Sequence, residues 1–160
     1  MADVFTPEKR SRVMAAIRSR GNRSTELRMI ELMRATGVRG WRRGSKIFGH
    51  PDFVFPRERT VVFVDGCFWH GCPRCCRTPS TNARFWLLKI GGNRRRDARV
   101  SRHLRNIGWA VIRIREHEIK RRGAGLPVRL VAVLARRLGR HNDAPSFSSA
   151  ASASASSESR

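Results

Sequence analysis

Four cysteines lie within a ten-residue stretch of the chain and give its strongest chemical signal from spacing alone. They offer three thiolates to a metal ion. The first two are Cys67 and Cys72, and the third is either Cys75 or the adjacent Cys76. Structural zinc takes four Cys or His ligands, so a fourth must come from elsewhere, and His117 is a candidate. The spacing predicts a structural zinc site in a loop poor in apolar residues; free thiols are the alternative.

A Pro-Asp pair, Pro51-Asp52, opens a short apolar segment, and a stronger apolar run from Thr60 to Val64 follows it. A carboxylate at a strand end can hold a divalent metal while the neighbouring strand brings in a second catalytic group. Magnesium suits this arrangement because it binds oxygen ligands and a scissile phosphate together. The pattern is typical of nucleases, although a turn aspartate is the simpler interpretation of the pair alone.

Two large aromatic residues and a histidine, Phe68-Trp69-His70, follow the strong strand. Exposed aromatics on a basic protein can wedge between base steps, at a cost of roughly a few kcal/mol per unstacked step. Stacking on the bases recovers on the order of 1–3 kcal/mol per base. A histidine beside them is suited to take a proton from an attacking water near neutral pH. A structural histidine or a zinc ligand is the alternative for His70.

The charge of the chain indicates its partner. Its 160 residues carry 34 Lys and Arg against 12 Asp and Glu, a formal net charge of +22. Neutralising phosphates with release of counterions is the expected use of such charge. No apolar run reaches the roughly 18 residues of a membrane span, and no basic amphipathic helix with an aromatic face favours a membrane surface. The first residues lack the apolar core of a secretory signal, so we expect a cytoplasmic, nucleoid-associated protein with reduced cysteines.

The apolar periodicity predicts the element order α-α-β-β-β-α-β-α, an α/β fold with a mixed sheet flanked by helices. The first helix begins at Thr6 and carries Met14. The other predicted helices cover residues 24–35, 82–106 and 126–138, with an interruption at Gly91-Gly92 left open. The predicted strands cover residues 46–48, 52–55, 60–64 and 109–114. We expect one domain over residues 1–141, with an N-terminal arm over 1–20, and a disordered Ser/Ala-rich tail over 142–160.

Taken together, these motifs resemble the very short patch repair (Vsr) endonucleases. The resemblance covers about residues 3 to 122 and rests on these segments: Pro51-Asp52-Phe53-Val54, Val61 to Val64, Gly66-Cys67-Phe68-Trp69-His70, Phe85-Trp86, Lys89-Ile90, Asn93, Arg96-Asp97, Gly108-Trp109 and Glu116-His117. It implies a restriction-endonuclease-like fold. It also implies magnesium-dependent nicking on the 5′ side of the thymine in T:G mispairs, which deamination of 5-methylcytosine leaves in duplex DNA. A functional link to a cytosine-5 DNA methyltransferase follows from that substrate, and a monomer is expected because one nick needs one active site.

The resemblance also implies the roles of individual residues in catalysis. Asp52 would bind magnesium, with the backbone carbonyl of Val64 as a further metal contact. His70 would be the general base that activates water. Two acidic residues, Glu26 and Asp97, match positions that support the active site.

Contacts to DNA and zinc are implied in the same way. Three aromatic residues would intercalate beside the mismatch: Phe68, Trp69 and Trp86. Met14 would help from the opposite groove. Lys89 and Asn93 would lie near the edges of the mispair. The implied zinc ligands are Cys67, Cys72, Cys75 and His117.

Three departures matter: two separate this chain from the family pattern, and the third separates the whole family from the usual nuclease pattern. Well-studied members of the family carry a second histidine just before the Gly-Cys-Phe-Trp-His run, thought to help the leaving group, where this chain has Asp65. Either a water at the metal would then protonate the leaving group, or Asp65 would itself approach the metal. The zinc loop is richer in cysteine than in histidine. The lysine of the usual nuclease Asp-x-Lys pattern is absent, as in the family, and His70 takes its place.

Two other functions fit the same residues. A zinc-stapled DNA-binding protein without catalysis would keep the charge, the aromatics and the cysteines but make Asp52 and His70 incidental. A nuclease of the same fold could act on another target, such as an intact restriction site or a branched junction.

Overall fold

A three-stranded mixed sheet forms the centre of the protein. The computed structural model describes residues 23–121, 123 and 125–142, so the predicted first helix with Met14, and the tail beyond 142, lie outside the described residues. The strands are β1 (Phe53–Phe55), β2 (Thr60–Asp65) and β3 (Ala110–Arg115), in the order β1-β2-β3. β1 pairs antiparallel with β2, and β2 pairs parallel with β3, which confirms the prediction of a mixed sheet.

The central strand β2 is buried along its whole length. Its β-branched and aromatic residues suit a strand that is covered on both faces. The predicted hairpin turn joins β1 to β2 and sets Phe53 opposite Val62. In the parallel pair, Asp65 lies opposite Arg115, so the polar ends of β2 and β3 meet at one edge of the sheet.

Helices cover both faces of this sheet. A π-helical turn over Arg23–Leu27 leads into the first α-helix, and the described α-helices are α1 (Arg28–Ala35), α2 (Ala83–Asn106), α3 (Glu116–Lys120) and α4 (Val128–Asn142). Met29 and Met33 of α1 and Leu130 of α4 pack on one face of the sheet. Val100 and Leu104 of α2 pack on the other. No helix in the described ranges is long and apolar enough to cross a membrane.

Three local predictions differ from the structure. The predicted strand at residues 46–48 is wrong, because the chain turns there between Gly44 and Gly49, both at positive φ. A single bridge between Arg42 and Val54 takes its place at the edge of β1. Helix α2 runs without interruption through Gly91-Gly92, since buried residues anchor it on both sides of the glycines. The short helix α3 was not predicted, and His117 lies in its first turn rather than at a strand end.

Candidate functional site

Asp52 lies one residue before β1, beside the backbone of β2. Its Oδ2 accepts a hydrogen bond of 2.7 Å from the backbone amide of Val64. Burial raises the pKa of Asp52 from 3.8 to about 6, against the lowering effect of the Val64 hydrogen bond, and the charges of Glu26 and Asp65 add to the rise. A carboxylate that is costly to ionise in this way gains from a bound cation.

A cavity of about 550 Å³ opens over Asp52. Its polar lining residues are Glu26, Arg43, Ser45, His50 and Asp52. Glu26, on the π-helical turn, is only 5% exposed and forms an ion pair with Arg43. The cavity therefore brings two acidic residues and a cationic one to the same space, which suits a phosphate group and a cation together.

His70 pairs with Asp97 across the gap between the loop after β2 and helix α2. Its Nδ1 lies 2.6 Å from Asp97 Oδ2 and 3.6 Å from Asp65 Oδ1. Burial opposes ionisation of Asp97, but the His70 hydrogen bond and the charge of Arg113 outweigh it, so its pKa lies below the ordinary value. With Nδ1 engaged, Nε2 of His70 is the nitrogen left to accept a proton.

Asp65, the last residue of β2, is almost fully buried and tied to Arg113 of β3. Arg113 Nε donates to Asp65 Oδ2 at 2.8 Å, and its Nη2 donates to Asp65 Oδ1 at 2.7 Å. The same Nη2 lies 2.9 Å from Asp97 Oδ1. Asp65, Asp97, Arg113 and His70 thus form one connected group of charged and polar side chains.

The loop that carries His70 is held by α2. Asn93 Nδ2 donates a hydrogen bond of 2.8 Å to the carbonyl oxygen of Trp69. His70's own carbonyl accepts from Arg115 Nη1 at 3.2 Å. Asn93, expected near the edges of a mispair, therefore also fixes the backbone that presents Trp69 and His70.

The aromatic residues form one cluster at the start of α2. Ring centroids lie 5.3 Å apart for Phe68 and Trp69 and 5.1 Å apart for Phe68 and Trp86. Trp86 is buried beneath the other two, which are half-buried, while the ring of Phe85 is 58% exposed. Lys89 is exposed on the same helix. The structure thus brings the three expected wedge residues together, with Trp86 as the support for the others.

The predicted zinc ligands meet around one point. Their ligand atoms all lie within 4.8 Å of one another in the set Cys67, Cys72, Cys75 and His117. The Sγ atoms of Cys72 and Cys75 are 3.8 Å apart, the separation that two Zn–S bonds of about 2.3 Å give in a tetrahedron. Cys76 instead points its Sγ at the carbonyl of Phe68, so the structure groups Cys75, and not Cys76, with the other ligands.

The two buried thiols of this group differ in acidity. Burial raises the pKa of Cys67 to about 12. Burial acts on Cys72 in the same direction, but hydrogen bonds from the backbone at Arg74 and Cys75 outweigh it and lower its pKa. The turn after Cys72 thus stabilises a thiolate, which is the form that binds a metal.

Arg113 and Arg43 are the residues of the site that were not predicted from the sequence. Arg113 stands between Ile112 and Ile114, and the alternation of β3 points it toward α2. A charged residue at an inward position of a strand indicates a buried partner of opposite charge, but not which one. Arg43 lies in an irregular segment that carries no comparable signal.

Comparison with known proteins gives consistent matches. The family model for DNA mismatch endonuclease Vsr matches residues 2–77. A type II nicking enzyme of Neisseria meningitidis serogroup C is 40% identical over 119 residues, which is 73% of this chain and 80% of that protein. A type II nicking enzyme of Xanthomonas oryzae pv. oryzae is 38% identical over 136 residues, 84% of this chain and 98% of that protein. DNA mismatch endonuclease Vsr of Escherichia coli is 37% identical over 124 residues, 76% of this chain and 78% of that protein.

Proposed function

This chain belongs to the Vsr family of DNA mismatch endonucleases, and on that premise we propose that it nicks duplex DNA on the 5′ side of the thymine in T:G mispairs left by deamination of 5-methylcytosine. The contact of 2.6 Å between His70 and Asp97 carries the proposal. It joins a general base to the group that orients it, and Asp65 and Arg113 of the same network lie close enough to Asp52 to influence its pKa. The proposed scaffold is restriction-endonuclease-like.

Magnesium is the proposed catalytic ion. Asp52, with its raised pKa, and the nearby Glu26 offer the oxygen donors and the negative charge that magnesium prefers. Asp52 and the backbone carbonyl of Val64 would hold the ion. When bound, magnesium would stabilise the negative charge that builds up on the scissile phosphate.

His70 would take the proton of the attacking water through Nε2. Asp97 accepts the Nδ1 hydrogen, which selects that tautomer and stabilises the imidazolium that forms. Both oxygens of Asp65 are engaged by Arg113, which supports protonation of the leaving oxygen by a water at the site rather than by Asp65.

Recognition of the mispair would rest on the aromatic cluster. Phe68 and Trp69 would insert between base steps, with Trp86 buried beneath them as their support. Lys89 and Asn93 would approach the mispair edges, and Met14 would act from the opposite groove. The proposed partners are a T:G-mismatched duplex and, functionally, a cytosine-5 DNA methyltransferase. The proposed state is a cytoplasmic, nucleoid-associated monomer.

Zinc is the proposed structural ion. Cys67, Cys72, Cys75 and His117 would hold it, and their ligand-atom spacing fits a tetrahedral ion. The ion would tie the loop after β2 to α3 and so fix the segment that carries Phe68, Trp69 and His70.

The test uses an end-labelled duplex with a single T:G mispair in several flanking contexts, with magnesium present. We expect one nick on the 5′ side of the mispaired thymine. A matched T:A duplex and a His70→Ala protein are the controls, and neither should give a nick. Equal cleavage of the T:A duplex would overturn the mismatch specificity.

A second candidate target is favoured by the relatives themselves, since several are type II nicking enzymes rather than repair enzymes by name. The same nicking assay, extended to duplexes with intact restriction sites and to branched junctions, separates the two targets. A nick in a fully matched site at the rate seen with the mismatch would favour the second one.

The alternative of a DNA-binding protein without catalysis is tested with Asp52→Ala. We expect this variant to lose nicking while it retains binding to the duplex. Unchanged cleavage in Asp52→Ala would remove Asp52 from the reaction.

A further inference from the structure

The position of the family's second histidine is occupied here by a buried carboxylate. The side chain of Asp65 is 3% exposed, and Arg113 binds both of its oxygens. A buried carboxylate without such a partner would be strongly destabilising, because its charge would be left uncompensated away from water. Asp65 and Arg113 therefore have to be considered as one unit.

Arg113 does more than compensate the charge of Asp65. Its Nη2 lies within hydrogen-bonding distance of a second carboxylate, 2.9 Å from Asp97 Oδ1. The guanidinium also lies over the ring of Phe63, 4.6 Å from its centroid, which fixes the plane of the fork. One rigid group thus connects the end of β2 to the middle of α2.

The two oxygens of Asp97 are divided between two partners. Oδ1 faces Arg113, and Oδ2 faces Nδ1 of His70. Held at both oxygens, the carboxylate cannot rotate without losing one of the two contacts. The ring of His70 receives its orientation from Asp97, and Asp97 receives its own orientation from Arg113.

We propose that Arg113 is a positioning residue of the nicking reaction, which, together with Asp65, fixes the carboxylate of Asp97 and through it the ring of His70. The inference rests on the proposed function for its kinetic test. It assigns Asp65 to the support of the general base rather than to proton transfer to the leaving oxygen.

The simplest variant is Arg113→Met, which keeps an unbranched side chain as far as the position of Nε and removes the planar fork. We expect single-turnover nicking of the mismatched duplex to fall roughly 10²-fold, because small displacements of a reacting group have effects of that size. The dissociation constant for the same duplex should change little. Arg113→Lys, which cannot bind both carboxylates as a planar fork, should recover only part of the rate. Arg28→Met is the matched control, because it removes an ion pair with Glu31 and a hydrogen bond to the carbonyl oxygen of Ile119, both outside this network.

Asp65→Asn/Arg113→Met guards against a variant that fails to fold, because it removes the buried charge of Asp65 together with that of its partner. If Asp65 and Arg113 have only a structural role, this double variant should nick at the parent rate. The proposal predicts that it folds and binds DNA but stays slow, because Asp97 has lost its second contact. Parent-like nicking in the folded double variant would overturn the proposal.

A readout that needs no nicking separates this inference from the proposed function. The imidazole ¹⁵N signals of His70, identified by their loss in His70→Ala, report which ring nitrogen carries the hydrogen. At a pH where the ring is neutral, we expect hydrogen on Nδ1 in the parent and a mixture of the two tautomers in Asp65→Asn/Arg113→Met. An unchanged tautomer overturns the role of Arg113. A parent that nicks no duplex but shows the expected spectra overturns the proposed function alone.

Discussion

Three aspartates of the site lie close together and meet different surroundings. Asp52 is buried beside other acids, and its pKa is raised. Asp97 receives a hydrogen bond from His70 and the charge of Arg113, and its pKa is lowered. Asp65 shares both of its oxygens with Arg113. These differences favour Asp52 as the residue that holds a cation and the other two as residues that orient their neighbours.

Asp52→Asn should stabilise the protein when no divalent cation is added. The folded pKa of about 6 exceeds the ordinary 3.8, so ionisation is disfavoured in the folded state. Stability is therefore lost as the pH rises from about 4 to about 6, and the cost at pH 8 is on the order of 1–3 kcal/mol. Thermal unfolding at pH 4 and pH 8 measures it. The variant should match the parent at pH 4, exceed it at pH 8, and fail to nick.

Glu31→Gln, at an exposed carboxylate on α1, is the control for this comparison. It should unfold like the parent at both pH values. A lower melting temperature for Asp52→Asn at pH 8 would show that the negative charge is stabilising there.

Asp97→Asn should slow nicking without weakening binding. An amide presents Nδ1 of His70 with either a donor or a weaker acceptor, so the tautomer with a free Nε2 is no longer selected. Proton transfer by a positioned base contributes roughly 10²–10⁴-fold to rate, and we expect a loss within that range. Single-turnover nicking and duplex binding, measured on the same preparation, test it. A parent-like rate would exclude Asp97 from orienting His70.

At the scale of elements, helix α2 brings together the aromatic cluster, Asn93 and Asp97. It stays continuous through two adjacent glycines because Trp86 and Ile90 are buried on one side of them and Val100 and Leu104 on the other. Glycine within a helix costs about 0.5–1 kcal/mol relative to alanine. The two glycines therefore lower the stability of the helix, and replacing one of them with alanine should recover part of that stability.

Gly92→Ala should therefore raise the melting temperature by about 2–4 °C, because no atom beyond the adjacent residues and the helix's own backbone lies within 4 Å of the added Cβ. Gly49→Ala is the matched contrast. There the added Cβ would lie 2.2 Å from Cγ1 of Val100 at a φ of 83°, so this variant should lose stability. Thermal unfolding of both variants checks the pair, and a lower melting temperature for Gly92→Ala would contradict it.

Elements determined by patterns among neighbouring residues were predictable from the sequence, whereas a five-residue helix and a pairing between distant residues were not. The alternation in residues 109–114 and the hairpin between β1 and β2 depend on neighbouring residues, and both predictions are confirmed. The five-residue helix α3 is too short for a period to be visible. The pair of Asp65 and Arg113 depends on the register of two parallel strands whose residues are 48 positions apart, and no local pattern determines that register.

At the scale of the whole molecule, the cysteine cluster joins distant parts of the chain. Its first three members lie in the loop after β2, and His117 lies in α3, so the group links residues 50 positions apart. A metal ion at that point would fix the loop against the sheet. Without it, the loop would depend on a few contacts such as Asn93 with the carbonyl of Trp69.

Elemental analysis should find about one zinc per chain. Cys72→Ser should lose the metal, lower the melting temperature and slow nicking, because the loop with His70 would no longer be fixed. Cys76→Ser is the control, since its thiol lies outside the group, and it should keep both the zinc and the melting temperature. Loss of zinc in Cys76→Ser, or its retention in Cys72→Ser, would contradict the ligand assignment.

The compactness of the loop has a consequence for how such enzymes can diversify. Residues 66–76 combine, in one short segment, the proposed base, two wedge residues and three proposed metal ligands. A substitution that adapts one of these tasks therefore also disturbs the others. We expect the segment to be transferable between relatives only as an intact cassette, accompanied by the remote residues that contact it, among them His117 and Asp97. New specificity would then arise more readily from elements outside the cassette, such as the exposed face of α2.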